Sequence, residues 1–398
     1  MNVAAKVTPA LSVRGKFPAI AGWHYLDSAA TAQKPQAVID AITRAYDTDY
    51  ATVHRGVYER SAVMTQSYEN ARGAVAGFIG AGSANEIVFT RNATEAINLV
   101  TQCLPKEGRN RVLVSQLEHH SNIVPWQLAG YELDVVPLTA DGCIDLDAAE
   151  AMVSDHHRVV AFAHVSNVLG SILDARRAAE IAHSKGALLL LDGCQAAPRI
   201  PVDVAAIGCD FYALSAHKLY GPTGIGALWG RADLLEAMPP YQGGGAMIDS
   251  VTFERSTYAP PPQRFEAGTP HIVGAVGLHA AIDWVQGIGL DAIHAHETAL
   301  VRECREALRR INSVRLFGPE ESAGIVSFAV EGVHPHDIGT ILDDESVAIR
   351  AGHHCAQPLM QVLGVPATAR ASFAAFSDSS DIAALVKGID KDLRIFGS

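Results

Sequence analysis

Three residues of this chain stand in sequence settings that predict chemistry. Lys218 follows the apolar segment 211–214 and precedes a glycine-rich turn, so its amine is expected in a buried loop, where it can form a Schiff base with an aldehyde cofactor. Asp192 follows the apolar run 187–191, and a carboxylate there can keep the ring nitrogen of pyridoxal phosphate protonated. Cys355 follows two histidines and offers a nucleophile that simple amino transfer does not need. Together the three residues indicate sulfur chemistry.

Each of these residues also has an ordinary structural use. A lone lysine is most often a solvated surface residue, an aspartate after a strand often caps a turn, and a cysteine is often a small core side chain. The functional interpretation is favoured for Asp192 and Lys218 because they end separate strands of one predicted sheet and can reach one ligand. It is favoured for Cys355 because its neighbours are polar and Arg350 precedes it by five positions, a setting that favours a thiolate.

Other residues are candidates for binding anionic groups. The segment around Thr94 resembles a strand that turns into a helix, and free N–H groups with the helix dipole make such a start a phosphate site. A threonine that merely caps the helix would fit that pattern equally well. Ser215 and His217 add candidate phosphate contacts from the Lys218 loop. Arg370 has the planar geometry for a bidentate clamp on a substrate carboxylate, although lone arginines usually lie on the surface.

Paired histidines occur at His119 and His120 and again within the segment 353–355. Neither pair is accompanied by a ligand spacing typical of metal centres, so no metal is expected. Stacking of a flat imidazole on a cofactor ring is the better use for one of these histidines.

Composition limits the classes of function. The 398 residues are 48% hydrophobic, which supports large buried cores, and the net charge of −12 argues against nucleic acid or an anionic membrane as the main partner. Residues 1–18 lack the continuous apolar stretch of a signal peptide, and the run 187–191 is far shorter than the roughly 20 residues that span a bilayer. We therefore expect a cytoplasmic, soluble enzyme whose six scattered cysteines are free thiols.

Short apolar runs alternate with helical patterns through the first two-thirds of the chain, which predicts a mostly parallel sheet flanked by helices. Glycine- and proline-rich stretches at 241–245 and 258–263 predict an irregular segment, after which a smaller α+β unit follows. The predicted strands are 86–90, 111–115, 133–137, 159–164, 187–191, 211–214, 226–229, 314–317, 324–330 and 347–350, and the predicted helices are 95–102, 121–129, 146–153, 176–184, 290–311 and 381–395.

An ordered set of short motifs extends over almost the whole chain. The motifs are His54-Arg55-Gly56, Glu118-His119-His120, His164-Val165-Ser166-Asn167, Asp192-Gly193-Cys194-Gln195, Ser215-Ala216-His217-Lys218, Phe265-Glu266-Ala267-Gly268-Thr269 and Arg350-Ala351-Gly352-His353-His354-Cys355. In this order they resemble the group II cysteine desulfurases, the SufS and CsdA type, among the fold-type I pyridoxal-phosphate enzymes of the class V aminotransferase family. The resemblance implies an α/β fold with a mostly parallel seven-stranded sheet. It also implies a large cofactor-binding domain at 25–290 and a small domain, made of 1–24 and 291–398, that carries Cys355.

The resemblance assigns a role to each candidate residue. Lys218 would hold pyridoxal 5'-phosphate, Asp192 would pair with its ring nitrogen, and His119 would stack on its ring. The further implied contacts are Gln195 with the ring oxygen, Thr94, Ser215 and His217 with the phosphate, Thr269 with the phosphate of the second subunit in a homodimer, Asn167, Arg350 and Arg370 with the substrate, and His54, Arg55 and a hairpin at 243–264 across the dimer interface.

The implied activity is that of a cysteine desulfurase. Lys218 would remove the Cα proton of L-cysteine, and Cys355 would take the sulfur as a persulfide while L-alanine leaves. A SufE- or SufU-like acceptor protein would then receive the sulfur for iron–sulfur cluster assembly, and turnover is expected to be slow without it because the cysteine segment is short. Alternatives are a selenocysteine lyase acting on L-selenocysteine, an aminotransferase or epimerase of the same fold, and a non-catalytic partner in a sulfur-transfer complex. The chain departs from the family pattern at Ala93, Cys194, His271 and Ser377.

Overall fold

The computed structural model describes residues 11–396, so the outermost ends of the small domain predicted from sequence lie outside the described residues. The strands are β1 His24–Tyr25, β2 Ile87–Thr90, β3 Arg111–Ser115, β4 Glu132–Val136, β5 His157–Ala163, β6 Leu188–Asp192, β7 Phe211–Ser215, β8 Gly226–Gly230, β9 Ile248–Val251, β10 Ser256–Tyr258, β11 Val314–Phe317, β12 Ile325–Val330, β13 Val347–Ala348, β14 Arg350–Gly352 and β15 Thr368–Ser372. The α-helices are α1 Gln36–Arg44, α2 Glu59–Phe78, α3 Ala93–Cys103, α4 Val124–Leu128, α5 Leu146–Met152, α6 Ala175–Ser184, α7 Val204–Ile207, α8 Ala232–Ala237, α9 Ile272–Ile288, α10 Leu290–Arg309, α11 Pro335–Asp344, α12 Gln357–Leu363 and α13 Ser379–Phe396.

A seven-stranded sheet forms the larger part of the fold, with the strand order β2-β8-β7-β6-β5-β3-β4. All neighbouring strands are parallel except β8, which is antiparallel to both β2 and β7. This arrangement confirms the α/β fold and the mostly parallel seven-stranded sheet predicted from the sequence. Each of the seven predicted strands lies within one or two residues of the observed one.

Both faces of this sheet are covered, which explains why its strands are apolar throughout. In β6, Leu188 and Leu190 belong to one hydrophobic core, whereas Leu189 and Leu191 belong to the core on the opposite face. Burial of each leucine stabilises the fold by about 1.5–3 kcal/mol. The strand is thereby fixed in register on both sides, and it delivers Asp192 to the carboxyl edge of the sheet.

A second, four-stranded antiparallel sheet has the order β11-β12-β15-β14, with helices α10, α11 and α13 packed on it. Its core contains Cys304, which is fully buried together with Leu300 and Leu308. The single strand predicted at 347–350 is wrong. The segment forms two strands in two sheets, because β13 pairs with β1 while β14 pairs with β15.

Helices α1, α2 and α9 and strand β15 are not among the predicted elements. Helix α9 packs between α1, α2 and α10 and is apolar over most of its surface, with Asp283 and Gln286 on the exposed remainder. Its apolar surface is therefore broader than the stripe by which a helix is usually predicted. Strands β9 and β10 pair as a hairpin, which confirms the hairpin that the resemblance implies at 243–264, although composition alone predicted an irregular segment there. The side chain of Phe253, in the turn of this hairpin, is fully exposed.

Between residues 11 and 396 no single helix is both long and apolar enough to cross a membrane. Helices α9 and α10 satisfy the length and composition requirement only as a pair, and the two are bent by 76° where they meet.

Candidate active site

A cavity of about 190 Å³ lies at the carboxyl ends of β5, β6 and β7, where the two sheets meet. The cavity collects residues that are far apart in the sequence and that come from both sheets. Those predicted from sequence are Thr94, His119, Asn167, Asp192, Gln195, Ser215, His217, Lys218, Arg350, Cys355 and Arg370. Asn92, Ser121 and His354 also line the cavity and were not predicted.

Lys218 and Asp192 reach the cavity from neighbouring strands. Lys218 ends a 3-10 turn after β7, and the turn is anchored by the fully buried side chains of Ala216 and Leu219, while Lys218 itself is half-buried. Asp192 is buried, and one of its carboxylate oxygens accepts a hydrogen bond from the N–H of Cys194 at 3.0 Å. The second oxygen has no hydrogen-bond partner among the residues that the structure describes, so it is available to a ligand in the cavity.

His119 presents a neutral ring. Its Nδ1 accepts a hydrogen bond from the N–H of Ser121 at 3.1 Å, so the proton of the neutral imidazole is on Nε2. Burial, together with the nearby Lys218 cation, lowers the pKa of His119 to about 4. At neutral pH the ring can therefore stack on a flat ligand and offer a donor at Nε2.

The start of helix α3 has features that suit an anionic group. The first turn of a helix leaves N–H groups without intrahelical partners, and its dipole favours negative charge. Asn92 caps the helix, and the N–H of Ala93 donates to Ser215 Oγ at 2.9 Å. The hydroxyl groups of Thr94 and Ser121 lie 2.7 Å apart at the same helix start. These three hydroxyls and the helix terminus can bind a phosphate group.

Gln195 and His217 complete the part of the cavity next to Lys218. The Gln195 amide is fixed at both ends, because its Nε2 donates to Ala29 O at 2.8 Å and its Oε1 accepts from Arg199 at 2.8 Å. Burial, followed by the Lys218 cation, lowers the pKa of His217 to about 4, so this ring is also neutral at neutral pH.

Arg370 is a buried cation on strand β15. Its Nη1 donates to Asn167 O at 2.8 Å and its Nη2 to Asp27 Oδ1 at 3.0 Å, whereas its Nε has no partner in the described part of the chain. Burial lowers the pKa of Arg370 to about 10, so it stays charged at neutral pH. Arg350 lies directly opposite Arg370 in the register of β14 and β15. Two cations therefore face the cavity side by side, which suits an anionic substrate. Asp27 was not predicted, because a lone aspartate carries no signal of this contact.

Cys355 lies on a tight turn between β14 and α12. Both His354 and Cys355 have left-handed backbone conformations, with φ of +53° and +56°, which for non-glycine residues costs roughly 1–3 kcal/mol each. The sulfur lies 4.0 Å from Nη2 of Arg350. From the other side, Nδ2 of Asn167 donates to His354 O at 2.8 Å. The turn thus holds a half-buried thiol at the rim of the cavity next to a cation.

The other cysteines are in different settings. Burial raises the pKa of Cys103 to about 11 and that of Cys194 and Cys304 to about 12, and it also raises the pKa of Cys209. Cys143 is half-buried and lines a separate surface depression, with its sulfur 3.7 Å from Asp141.

Thr269, His54 and Arg55 are the predicted site residues that do not line this cavity. Thr269 lies in a second cavity of about 300 Å³. The ring of His54 meets Tyr68, a residue of this second cavity, edge-on at 5.7 Å. The sequence resemblance places these residues across a dimer interface, and that placement stays a prediction. Within residues 11–396 no group of three or more His, Cys, Asp or Glu side chains is arranged to hold a metal ion.

Comparisons with known proteins find one family and several cysteine desulfurases that are similar to this chain. The family described as aminotransferase class-V matches residues 24–385. The chain is 48% identical to a probable cysteine desulfurase of Halalkalibacterium halodurans, with 94% of each chain covered. It is 46% identical to a cysteine desulfurase of Dickeya dadantii over the whole of both chains. The crystal structure of the cysteine desulfurase CsdA from Escherichia coli is similar with a TM-score of 0.91 and 40% identity, covering 96% of this chain and 98% of that one.

Proposed function

Because the chain belongs to the aminotransferase class-V family and, within it, to the group II cysteine desulfurases, we propose that its cavity converts L-cysteine to L-alanine with pyridoxal 5'-phosphate as cofactor. The sulfur stays behind as a persulfide on Cys355. One observation carries this proposal: Lys218, Asp192, Arg370 and Cys355, which come from separate parts of the chain, line the same cavity.

The side chains around the cavity fit pyridoxal phosphate. When bound, this cofactor supplies an aldehyde that binds amines and a ring that withdraws electrons from the attached carbon. Lys218 offers the amine for the aldehyde, and the free carboxylate oxygen of Asp192 suits the ring nitrogen. The helix start at Thr94 and the hydroxyl of Ser215 suit the phosphate, and the neutral ring of His119 suits the cofactor ring.

The cavity also fits the substrate. The guanidinium of Arg370 lines the cavity and can donate to the carboxylate of L-cysteine, and Arg350 adds a second positive charge. The amine of Lys218 is the base that removes the Cα proton, since it is the half-buried amine of this cavity. The Nε2–H of His119 is a donor that can return a proton inside the cavity.

Sulfur transfer needs no external oxidant. The thiolate of Cys355 attacks the sulfur of the substrate, an S–S bond forms and the C–S bond breaks. The electron pair of the broken bond stays with the substrate carbon, which takes up a proton and becomes the methyl group of L-alanine. Arg350, 4.0 Å from the Cys355 sulfur, supports this step by placing a positive charge beside the attacking atom.

The test is alanine release from L-cysteine, with a reductant present, for the wild type, Cys355→Ala and the matched control Cys143→Ala. We expect alanine from the wild type and the control, and almost none from Cys355→Ala. Mass spectrometry of the wild type after one turnover should find one added sulfur atom on the peptide that contains Cys355. Equal alanine release from Cys355→Ala would exclude the persulfide mechanism.

A selenocysteine lyase is the second candidate, because selenium leaves carbon more easily and Cys355 would then matter less. The loss of activity in Cys355→Ala on L-cysteine and on L-selenocysteine separates the two. A large loss on both substrates supports the desulfurase, and a loss confined to L-cysteine supports the lyase.

We further propose a homodimer in the cytoplasm that passes its sulfur to a SufE- or SufU-like acceptor for iron–sulfur cluster assembly. The second cavity with Thr269 and the exposed His54 would meet the partner subunit, which is supported by their position away from the cavity of the same chain. We keep the domain boundaries at 25–290 and at 1–24 with 291–398. They are supported by the separation of the seven-stranded sheet, formed by β2–β8, from the four-stranded sheet, formed by β11, β12, β14 and β15.

A further inference from the structure

His120 is linked to the cysteine turn by two hydrogen bonds. Its main-chain N–H donates to Cys355 O at 2.7 Å, and its ring Nε2 accepts from the N–H of Gln357 at 3.0 Å. His120 follows strand β3 of the large sheet, whereas Cys355 and Gln357 follow strand β14 of the small sheet. The two bonds therefore clamp the turn from the large sheet, directly after the residue that carries the reactive sulfur.

The turn needs such a clamp. Two successive non-glycine residues, His354 and Cys355, have positive φ, a conformation that persists only where the surroundings over-determine it. His354 is fixed by Asn167, through its carbonyl oxygen, and by Thr368, through its ring. His120 is the contact that fixes the residues from Cys355 onward.

We propose, on the basis of the cysteine desulfurase function, that His120 is a positioning residue that holds the Cys355 sulfur towards the substrate, and that only its neutral form can do so. Nε2 accepts the Gln357 bond, so the neutral ring carries its proton on Nδ1. Protonation would place a second N–H opposite the N–H of Gln357, and the bond would be lost.

The surroundings of His120 favour the neutral ring. The titratable groups near it are His119 on its own turn, with ring centres 6.3 Å apart, and His353 and Cys355 on the opposing turn. Arg350 adds a positive charge next to Cys355. Burial, followed by the effect of His353, lowers the pKa of His120 below its ordinary value. The clamp is complete above the ordinary histidine pKa and is lost as the pH falls through the lowered one.

Two steps of the reaction can be measured separately, and only one of them depends on the position of the Cys355 sulfur. Comparing them distinguishes a positioning role of His120 from a general effect on the structure. Exchange of the substrate Cα proton with deuterated solvent needs Lys218 and the cofactor, whereas single-turnover persulfide formation needs the Cys355 sulfur in place. In the holoenzyme, His120→Ala should slow persulfide formation about tenfold, the effect of one lost hydrogen bond, and leave Cα exchange unchanged. Equal slowing of both steps would overturn the proposal, since His120 would then act through the cofactor.

His120→Gln is the second variant, because its amide oxygen can accept the Gln357 bond and does not titrate. We expect it to keep persulfide formation within about threefold of the wild type at high pH. It should also lose the decrease that the wild type shows at acidic pH. His353→Gln, an exposed residue of the same turn, is the control and should retain that decrease, moved towards higher pH because His353 no longer lowers the pKa of His120. The same acidic decrease in the wild type and in His120→Gln would refute the proposal.

Amide hydrogen exchange of the holoenzyme tests the clamp without any reaction. The peptide that covers residues 353–357 should exchange about tenfold faster in His120→Ala than in the wild type, and no faster in His353→Gln. Unchanged exchange in His120→Ala would overturn the clamp. A wild type that exchanges slowly here but releases no alanine from L-cysteine would leave the clamp standing and refute the proposed function.

Discussion

Arg370 is paired with Asp27 at 3.0 Å, deep in a cavity that we assign to an anionic substrate. The pairing leaves the Nε edge of the guanidinium without a partner in the described chain, while Asn167 O fixes the third nitrogen. Asp27 itself is partly buried, and burial raises the pKa of its carboxyl group against the opposing influence of Arg370. The arginine is therefore held in one orientation at the cavity wall before substrate arrives.

The first prediction concerns the planar geometry of Arg370. Arg370→Lys keeps a positive charge but loses the fork that contacts Asn167, Asp27 and the substrate at once. We expect kcat/KM for L-cysteine to fall by about 10- to 100-fold, with the absorbance spectrum of the bound cofactor unchanged. Steady-state kinetics check this. The exposed Arg302→Lys serves as the control, and an unchanged kcat/KM in Arg370→Lys would remove Arg370 from substrate binding.

The second prediction concerns the anion site at helix α3. Ser215→Ala removes a hydroxyl that accepts the N–H of Ala93 and the thiol of Cys194, and that is left to donate its own proton to a phosphate. The dissociation constant of pyridoxal phosphate should rise about tenfold or more, measured by titrating the apoprotein with cofactor. Ser184→Ala, on the exposed end of helix α6, should bind as the wild type does. Equal affinities in all three proteins would place the phosphate elsewhere.

The third prediction concerns stability and pH. Glu118 is fully buried and receives hydrogen bonds from Ser115, Asn122 and the N–H of Ala163, yet burial raises its pKa from 4.5 to about 7. Because the folded state binds the proton more tightly, the contribution of Glu118 to stability is complete below pH 4.5 and is lost as the pH rises to about 7.

The measurement is the free energy of unfolding of the wild type and Glu118→Gln across this pH range. The stability of the wild type relative to the variant should decrease with rising pH by on the order of 3 kcal/mol. Glu254→Gln, on the exposed hairpin, should follow the wild type. A difference between the wild type and Glu118→Gln that stays constant with pH would show that Glu118 is ionised throughout.

The fourth prediction concerns the thiols. Iodoacetamide at neutral pH should modify Cys355 first and Cys143 more slowly, because both side chains are half-buried but burial and the nearby Asp141 raise the pKa of Cys143. The remaining cysteines are buried and have raised pKa values, so they should react last. Peptide mapping by mass spectrometry after timed labelling checks the order. Modification of Cys194 at the same rate as Cys355 would contradict the burial of the Cys194 side chain.

The sequence was informative where local chemistry and local structure coincide. Asp192 follows a strand whose four leucines alternate between two cores, so both the strand and its end could be predicted from one apolar run. Lys218 follows a similarly buried strand. Helix α9 was not predicted in the same way, because apolar residues cover most of its surface and leave only a narrow polar face.

Contacts between distant segments could not be predicted from the sequence. Asp27 and Arg370 are joined only through the packing of the loop after β1 on β15, and the bonds between His120 and the cysteine turn depend on how the two sheets meet. Motif order predicted most of the residues that line the cavity, whereas their hydrogen-bond partners follow from tertiary structure.

The register of β14 and β15 places Arg350 and Arg370 directly opposite each other, and like charges in such a pair destabilise a sheet. Before substrate binds, Arg350 and Arg370 therefore repel each other within the four-stranded sheet. Asp27 offsets this repulsion only in part, through its pairing with Arg370. A substrate carboxylate between the two guanidinium groups would offset the rest. The attraction that binds the substrate would therefore also relieve the repulsion in the strand pair that leads to Cys355. Substrate binding would thus stabilise the segment that must receive the sulfur.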